Sequence, residues 1–319
     1  MKKRYLLIFV LLILLPACSN LGSGFEGFSN LFGRGGEQVG GSGLILKFIE
    51  PKSSEIRIPE GEFGAFRVRL QLENYVVNDF GMHGELCLTD TLSDNFGGVT
   101  EGQCKPIDLE SAKRNERGIM TPTISSIYDF GPYIYKGAVK EFASASQTRI
   151  IADIKYETET KAYATMCIQK SSTQSICDEE QSLKVEQSDL PLKISSINAR
   201  TFSLGETGTN ILLEIEVSQT KDGQITTPSF LLSPTQIYPT ANFEVSINNV
   251  PAKCVELIEN NILEITQTLN QKIIKCSARL ILNQDYIKEV PIEIKMGYGF
   301  IQSVEGPKVF ILSKEEALS

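Results

Sequence analysis

From Leu44 onward the chain alternates apolar and polar residues with a period of two, and that pattern restricts it to sheets. The clearest run is Phe66 to Leu72, where Phe66, Val68, Leu70 and Leu72 alternate with Arg67, Arg69 and Gln71. Successive side chains of a strand point to opposite faces, so this run has one apolar face and one charged face. The alternation recurs at Leu44, Leu46 and Phe48, at Ile150, Ala152, Ile154 and Tyr156, and at Ala162, Ala164, Met166 and Ile168. Turn residues separate the runs, as in Glu50-Pro51-Lys52, Pro59-Glu60-Gly61, Gly97-Gly98 and Gly131-Pro132. One short polar piece, Leu109 to Arg117, is a helical candidate.

A second β set begins near Leu192, after the polar, acidic stretch Asp178 to Asp189 that reads as an interdomain crossing. Its expected strands are Leu192 to Ile197, Ile211 to Val217, Phe243 to Ile247, Leu263 to Thr266, Ile274 to Leu282, Val290 to Met296 and Val309 to Leu312. Turn signals stand at Gly205, Lys221-Asp222-Gly223, Asn248-Asn249, Asn260-Asn261 and Gly306-Pro307, a spacing that suits an immunoglobulin-like sandwich. About 300 residues lie beyond the first eighteen, more than one core usually organises. The expected fold is all-β: two tandem immunoglobulin-like β-sandwich domains, 44–189 and 190–319, after a signal peptide (1–17) and a tether (18–43).

Lys2, Lys3 and Arg4 lead into an apolar run from Tyr5 to Leu15, followed by Pro16, Ala17 and Cys18. A run of about 11 residues is a signal-peptide core, since crossing a bilayer takes roughly 20. Leu15, Pro16, Ala17 and Cys18 resemble the lipobox of a prokaryotic lipoprotein precursor, with Pro16 standing where a small or β-branched residue is commoner. The resemblance implies that Cys18 becomes the lipidated first residue of the mature protein, held on the outer side of a membrane. The other readings are an ordinary secretion signal or an uncleaved anchor. Ser19 to Gly43 is rich in Gly, Ser and Asn, and reads as a flexible tether with a span of roughly 25 to 30 Å. Its Phe25, Phe28 and Phe32 either touch lipid headgroups or are occasional apolar residues in a leader.

Seven cysteines fit an exported chain. With Cys18 assigned to lipid, nearest-neighbour pairing joins Cys87 with Cys104, Cys167 with Cys177, and Cys254 with Cys276, although sequence alone does not choose among the pairings. A zinc site competes poorly, because there is no Cys-x-x-Cys and His83 is the only histidine. The net charge of -8 argues against nucleic acid as a partner, which demands clustered Lys and Arg.

A wider resemblance rests on "GGSGLILKFIEP", "EGEFGAFRVRLQLEN", "YETETKAYATMCIQ" with Cys177 shortly after, the Cys254 and Cys276 pair, and the closing "PIEIKMGYGF". The order is similar to that of uncharacterised archaeal surface lipoproteins with immunoglobulin-like domains. That resemblance implies a class and a location, with no established activity.

Catalytic signatures are missing: no Gly-x-Ser-x-Gly, no phosphate-binding Gly-x-x-x-x-Gly-Lys-Ser/Thr, and no histidine pair for a metal. No cofactor is expected; Asp90, Asp94 and Asn95 form an oxygen-rich loop that is a weak Ca²⁺ candidate, an Asp/Asn-rich turn being the favoured reading. Tyr128, Phe130, Tyr133 and Tyr135 are candidate partner-binding aromatics, the competing reading being a strand-turn-strand with its rings in the core. The expected protein is a non-enzymatic structural or interaction module with the membrane, another surface protein or its own copies as partners. A filament or coat subunit, a sugar- or peptide-binding lipoprotein and a carboxylate-dependent hydrolase are the alternatives.

Overall fold

The computed structural model describes residues 43–59, 65–76, 81–90, 96–97, 103–114, 120–135, 146–169, 177–203, 208–229, 231, 238–258, 261–265, 271–281 and 287–312. Among these residues there is no helix. The helical candidate at Leu109 to Arg117 is corrected: Leu109 ends one strand and Lys113–Arg114 forms another. So short a polar segment has neither the length nor the apolar stripe to sustain a helix.

In chain order the first strands are β1 (Leu44–Glu50), β2 (Glu55–Pro59), β3 (Phe66–Asn74), β4 (Met82–Asp90), β5 (Phe96–Gly97) and β6 (Gln103–Leu109). Then come β7 (Lys113–Arg114), β8 (Met120–Thr121), β9 (Thr123–Ile124), β10 (Tyr128–Tyr135) and β11 (Ser146–Gln169). The crossing region holds β12 (Glu180–Leu183) and β13 (Glu186–Gln187). Next are β14 (Leu192–Ser203), β15 (Thr209–Gln219), β16 (Gln224–Thr226), β17 (Thr240–Ile247) and β18 (Val250–Pro251). The last are β19 (Lys253–Cys254), β20 (Ile262–Glu264), β21 (Gln271–Leu280) and β22 (Ile287–Leu312).

The spine of the molecule is the pair β11 and β22, antiparallel from Ser146↔Ile311 to Gln169↔Ile287. At about 3.3 Å per residue, the 26 residues of β22 run for roughly 80 Å. On its far side β11 carries β4 and β13. Along the far side of β22 lie β17, β16 and, in parallel, β2. The resulting ten-stranded sheet takes strands from both sides of the 189/190 division.

One face of this sheet is buried from end to end. Every even-numbered residue of β11 from Thr148 to Ile168 is buried. On β22 the buried side chains are even-numbered at Val290, Ile292, Ile294, Met296, Tyr298, Phe300 and Val304 and odd-numbered at Pro307, Val309 and Ile311, so the parity changes near Gly306. The turn expected at Gly306-Pro307 is therefore a local irregularity inside one strand. Gly306 is there for close approach: a Cβ at that position would lie 2.6 Å from the ring of Phe48. Likewise the two alternating runs 150–156 and 162–168 are one strand, because buried Thr158 and Thr160 continue the inner face between them.

Two smaller sheets lie on that inner face. The first runs β1-β3-β10-β5 with β9 beside β3, and the second runs β12-β14-β15-β21-β19. Phe48 against Gly306 and Lys105 over the Phe130 ring at 5.1 Å mark the two flanks of the first sandwich. In the second, the Gln181 side chain bonds the Cys167 backbone, and the chain passes from β18 to β19 through Ala252 alone. Leu70, Leu86, Leu213, Phe243 and their neighbours form one continuous hydrophobic cluster through both.

Three disulfides are closed: Cys87–Cys104, Cys167–Cys177 and Cys254–Cys276. The first and third join directly opposed residues, fastening β6 to β4 and the two-residue β19 to β21. Each thus ties an edge strand to its sheet, where pairing on one side alone leaves the ladder weakest.

Candidate functional site

The most organised polar constellation among the described residues sits where the two small sheets meet over the spine. Tyr298 comes from β22, Thr160 from β11, and Leu192 opens β14. The Leu192 N–H donates to the Tyr298 hydroxyl at 3.1 Å, and the Thr160 hydroxyl donates to the Leu192 carbonyl at 3.0 Å. Thr160 Oγ1 and Tyr298 Oη are 3.1 Å apart. With the other two donors committed, the Tyr298 O–H donates to Thr160 and closes a three-membered ring of bonds. A phenol buried among apolar side chains needs such partners, and here it has them on both sides.

Burial pushes the Tyr298 hydroxyl far above the ordinary tyrosine range, against the opposing influence of the Thr160 and Leu192 bonds. Burial does the same to Tyr156, with a smaller contribution from Tyr298. Tyr156 packs edge-on to Phe300 with ring centroids 5.7 Å apart. Both phenols are neutral at physiological pH, which makes them fixed pins and poor bases.

Gly43 is at the same seam. Its carbonyl accepts from the Tyr75 N–H, its φ is +77°, and the space a Cβ would fill is bounded by the Val76 side chain and the Asp189 carbonyl. The chain therefore enters the body at its waist. Asp189 pairs with Lys193 one strand end away. Next to Leu192 a shallow crevice of about 10 Å³, room for about one water, is lined by Val217, Ser218, Gln219, Leu263, Ile265 and Lys272.

Of the candidate aromatics, Phe130 and Tyr133 are buried in the core, and Tyr128 is half-buried. Tyr133 packs on Phe66 at 5.5 Å, and neither buried ring offers a surface to a partner. The side chain of Tyr135 lies outside the described residues. Between these rings Asp129 takes Arg67 at 2.9 Å and Arg69 at 3.6 Å, while Lys105 donates to its carbonyl. Exposed pairs of this kind contribute little stability and give the outer face its charge pattern.

The Ca²⁺ candidates Asp94 and Asn95 lie outside the described residues; Asp90 ends β4 opposite Ile150, with its side chain not described. Cys18 also lies outside them. Glu85 stands beside Cys87 and Cys104, but bonded sulfurs are not ligands, so one carboxylate remains. His83 Nδ1 is 3.1 Å from Asp108 Oδ1, both side chains well exposed.

Sequence reasoning missed the seam. Thr160 lies in the polar stretch between two recognised runs and Tyr298 in a glycine-flanked one, so neither bore an apolar signal. No family model matches the chain, and no curated protein matches it.

Proposed function

We propose that this chain is a lipid-anchored protein working outside the cytoplasm, where its double sandwich serves as a structural or protein-interaction module. The observation that carries this reading is the pairing of Leu15-Pro16-Ala17-Cys18, after a short apolar run, with three disulfides closed within the chain. Disulfides persist in oxidising compartments and are rare in the cytosol, so the bridges and the leader point to the same side of the membrane.

In this reading two immunoglobulin-like sandwiches have fused through the shared strands β11 and β22. The outer face of the long sheet supports a solvated body. It carries Arg149 paired with Glu305, Ser303 bonded to Asp153 at 2.6 Å, and Lys295 beside Glu293 at 3.5 Å. Crosslinking on intact cells, followed by mass spectrometry of the captured protein, tests the role. A reproducible neighbour, or crosslinks between copies, supports a module; recovery of an uncrosslinked monomer across reagents of several lengths contradicts it.

A further inference from the structure

Most sheet edges of this protein are guarded. An unpaired edge is a template for another strand, and proteins blunt it with a charge, a proline or a covering group. The Asp129 carbonyl on β10 takes the Lys105 ammonium, and the Glu264 carbonyl on β20 takes Lys272 at 2.6 Å. On β14 the Gln187 amide bonds both the N–H and the carbonyl of Ile194, and on β11 the Gln181 amide does the same for Cys167. The Lys275 N–H of β21 meets the Glu256 carboxylate. Edge strands β6 and β18 contain Pro106 and Pro251, which have no N–H to offer.

Among the described residues β1 is the exception, since it pairs with β3 alone. The Tyr75 N–H donates to the Gly43 carbonyl, and antiparallel bonds recur at every second residue. Ile45 and Lys47 therefore bond toward β3, while Leu44, Leu46 and Phe48 turn their N–H and C=O groups outward. Leu72, opposite Leu46, agrees with this phase because it bonds Ser125 on the far side of β3. No side chain among the described residues meets the outward groups of β1. Lys47, the one charge in the run, is paired with Glu73 of β3, and the run ends at the bulge after Phe48.

We propose that a second copy of the chain adds at this edge, β1 antiparallel to β1 about a two-fold axis through Leu46. This names the partner for the interaction module proposed above and rests on that reading. The strand is complementary to itself in that register. Leu44 faces the second copy's Phe48, Leu46 faces its counterpart, and on the outer face Ile45 lies opposite the second copy's Lys47. The three outward residues of each copy then exchange about six backbone bonds. A centre at Lys47 opposes two like charges, and a centre at Ile45 takes Phe48 out of the ladder. A two-fold contact closes on itself, so assembly through this edge stops at a dimer. So short a ladder is at the small end of specific interfaces, and a weak, exchanging dimer is expected.

Ile45 tests the register, because its two neighbours favour opposite charges. Within one copy it lies opposite Glu73, so Ile45→Lys suits the monomer and Ile45→Glu strains it. Across the two-fold axis it meets Lys47, and the preferences reverse. The test is sedimentation equilibrium over a concentration series, using the chain from residue 18 with Cys18→Ser, which keeps every described residue. The dissociation constant of the dimer is expected to rise about 3- to 10-fold in Ile45→Lys and to fall by a like factor in Ile45→Glu. Hydrogen exchange at the Leu44, Leu46 and Phe48 amides should slow as concentration rises, while Ile45 and Lys47 stay slow throughout. A monomer up to millimolar concentration overturns the proposal. So does a dimer equally tight in both variants, which puts the contact on another face, or slow exchange at the three amides in dilute monomer, which means that the chain's own residues cover the edge. The module reading fails separately, when crosslinking on intact cells captures no neighbour at all.

Discussion

Tyr298 Oη and Thr160 Oγ1 lie 3.1 Å apart in the core, on the paired spine strands β22 and β11, and both are tied to the backbone of Leu192. The ring of bonds holds the start of the second small sheet against the spine. Tyr298→Phe removes one member and leaves the Leu192 N–H and the Thr160 hydroxyl short of a partner. The expected loss is about 1 to 3 kcal/mol in urea unfolding. Thr160→Val should cost a similar amount, and the double variant less than the sum of the two. Strict additivity would show that the three groups do not act together.

Alkaline stability follows from the two buried phenols. Tyr156 and Tyr298 resist ionisation in the folded protein because burial disfavours the phenolate. An unfolded tyrosine ionises near about 10. Their contribution is complete below that pH and is lost as pH rises past it toward the higher folded values. The urea midpoint is expected to hold up to about pH 9 and to fall above about pH 10, less steeply in Tyr298→Phe. A midpoint that climbs above pH 10 has the wrong sign.

Glycines on the spine and its neighbour separate close approach from open space. At Gly84 a Cβ would overlap the Lys155 carbonyl and lie 2.9 Å from Tyr156 Cα, so Gly84→Ala forces β4 off β11. The expected cost is about 2 kcal/mol or more. At Gly297 the nearest atom is the Asn242 side chain at 3.9 Å, so Gly297→Ala should fall within about 0.5 kcal/mol of the parent. Equal effects in thermal unfolding would mean that the β4–β11 contact is looser than described.

The bridges that fasten edge strands should matter most. Replacing both cysteines of Cys254–Cys276 or of Cys87–Cys104 by Ala opens loops of sequence separation 22 and 17. Each is expected to cost about 3 kcal/mol, and Cys167–Cys177, with separation 10, somewhat less. Unfolding under non-reducing conditions measures all three; no loss for the first two would mean that β19 and β6 hold without them.

The sequence carried the all-β class, because the period of two survives wherever one face is buried. Phe66 to Leu72 and Ile150 to Tyr156 read directly as strands. Pairing the cysteines in order agreed with the structure; in two of the three bridges the cysteines face each other on paired strands. The spine was hidden. Gly306-Pro307 looks like a turn but is a close-packed irregularity beneath Phe48. Thr158 and Thr160 look solvent-facing but lie inward, and of the two only the Thr160 hydroxyl has bonds that offset its burial. Phe130 and Tyr133 show the reverse limit, since an aromatic at a turn signal reads alike whether it serves a core or a surface.

Membrane anchorage through Cys18 is the claim on which the proposed role depends, and intact mass of the protein extracted from membranes tests it most directly. The expected product lacks residues 1–17, carries acyl mass on Cys18, and keeps the six later cysteines bridged; Cys18→Ser should move it to the soluble fraction. Recovery of an unmodified Cys18, or unchanged membrane partition in Cys18→Ser, would contradict the anchor and with it the proposed location.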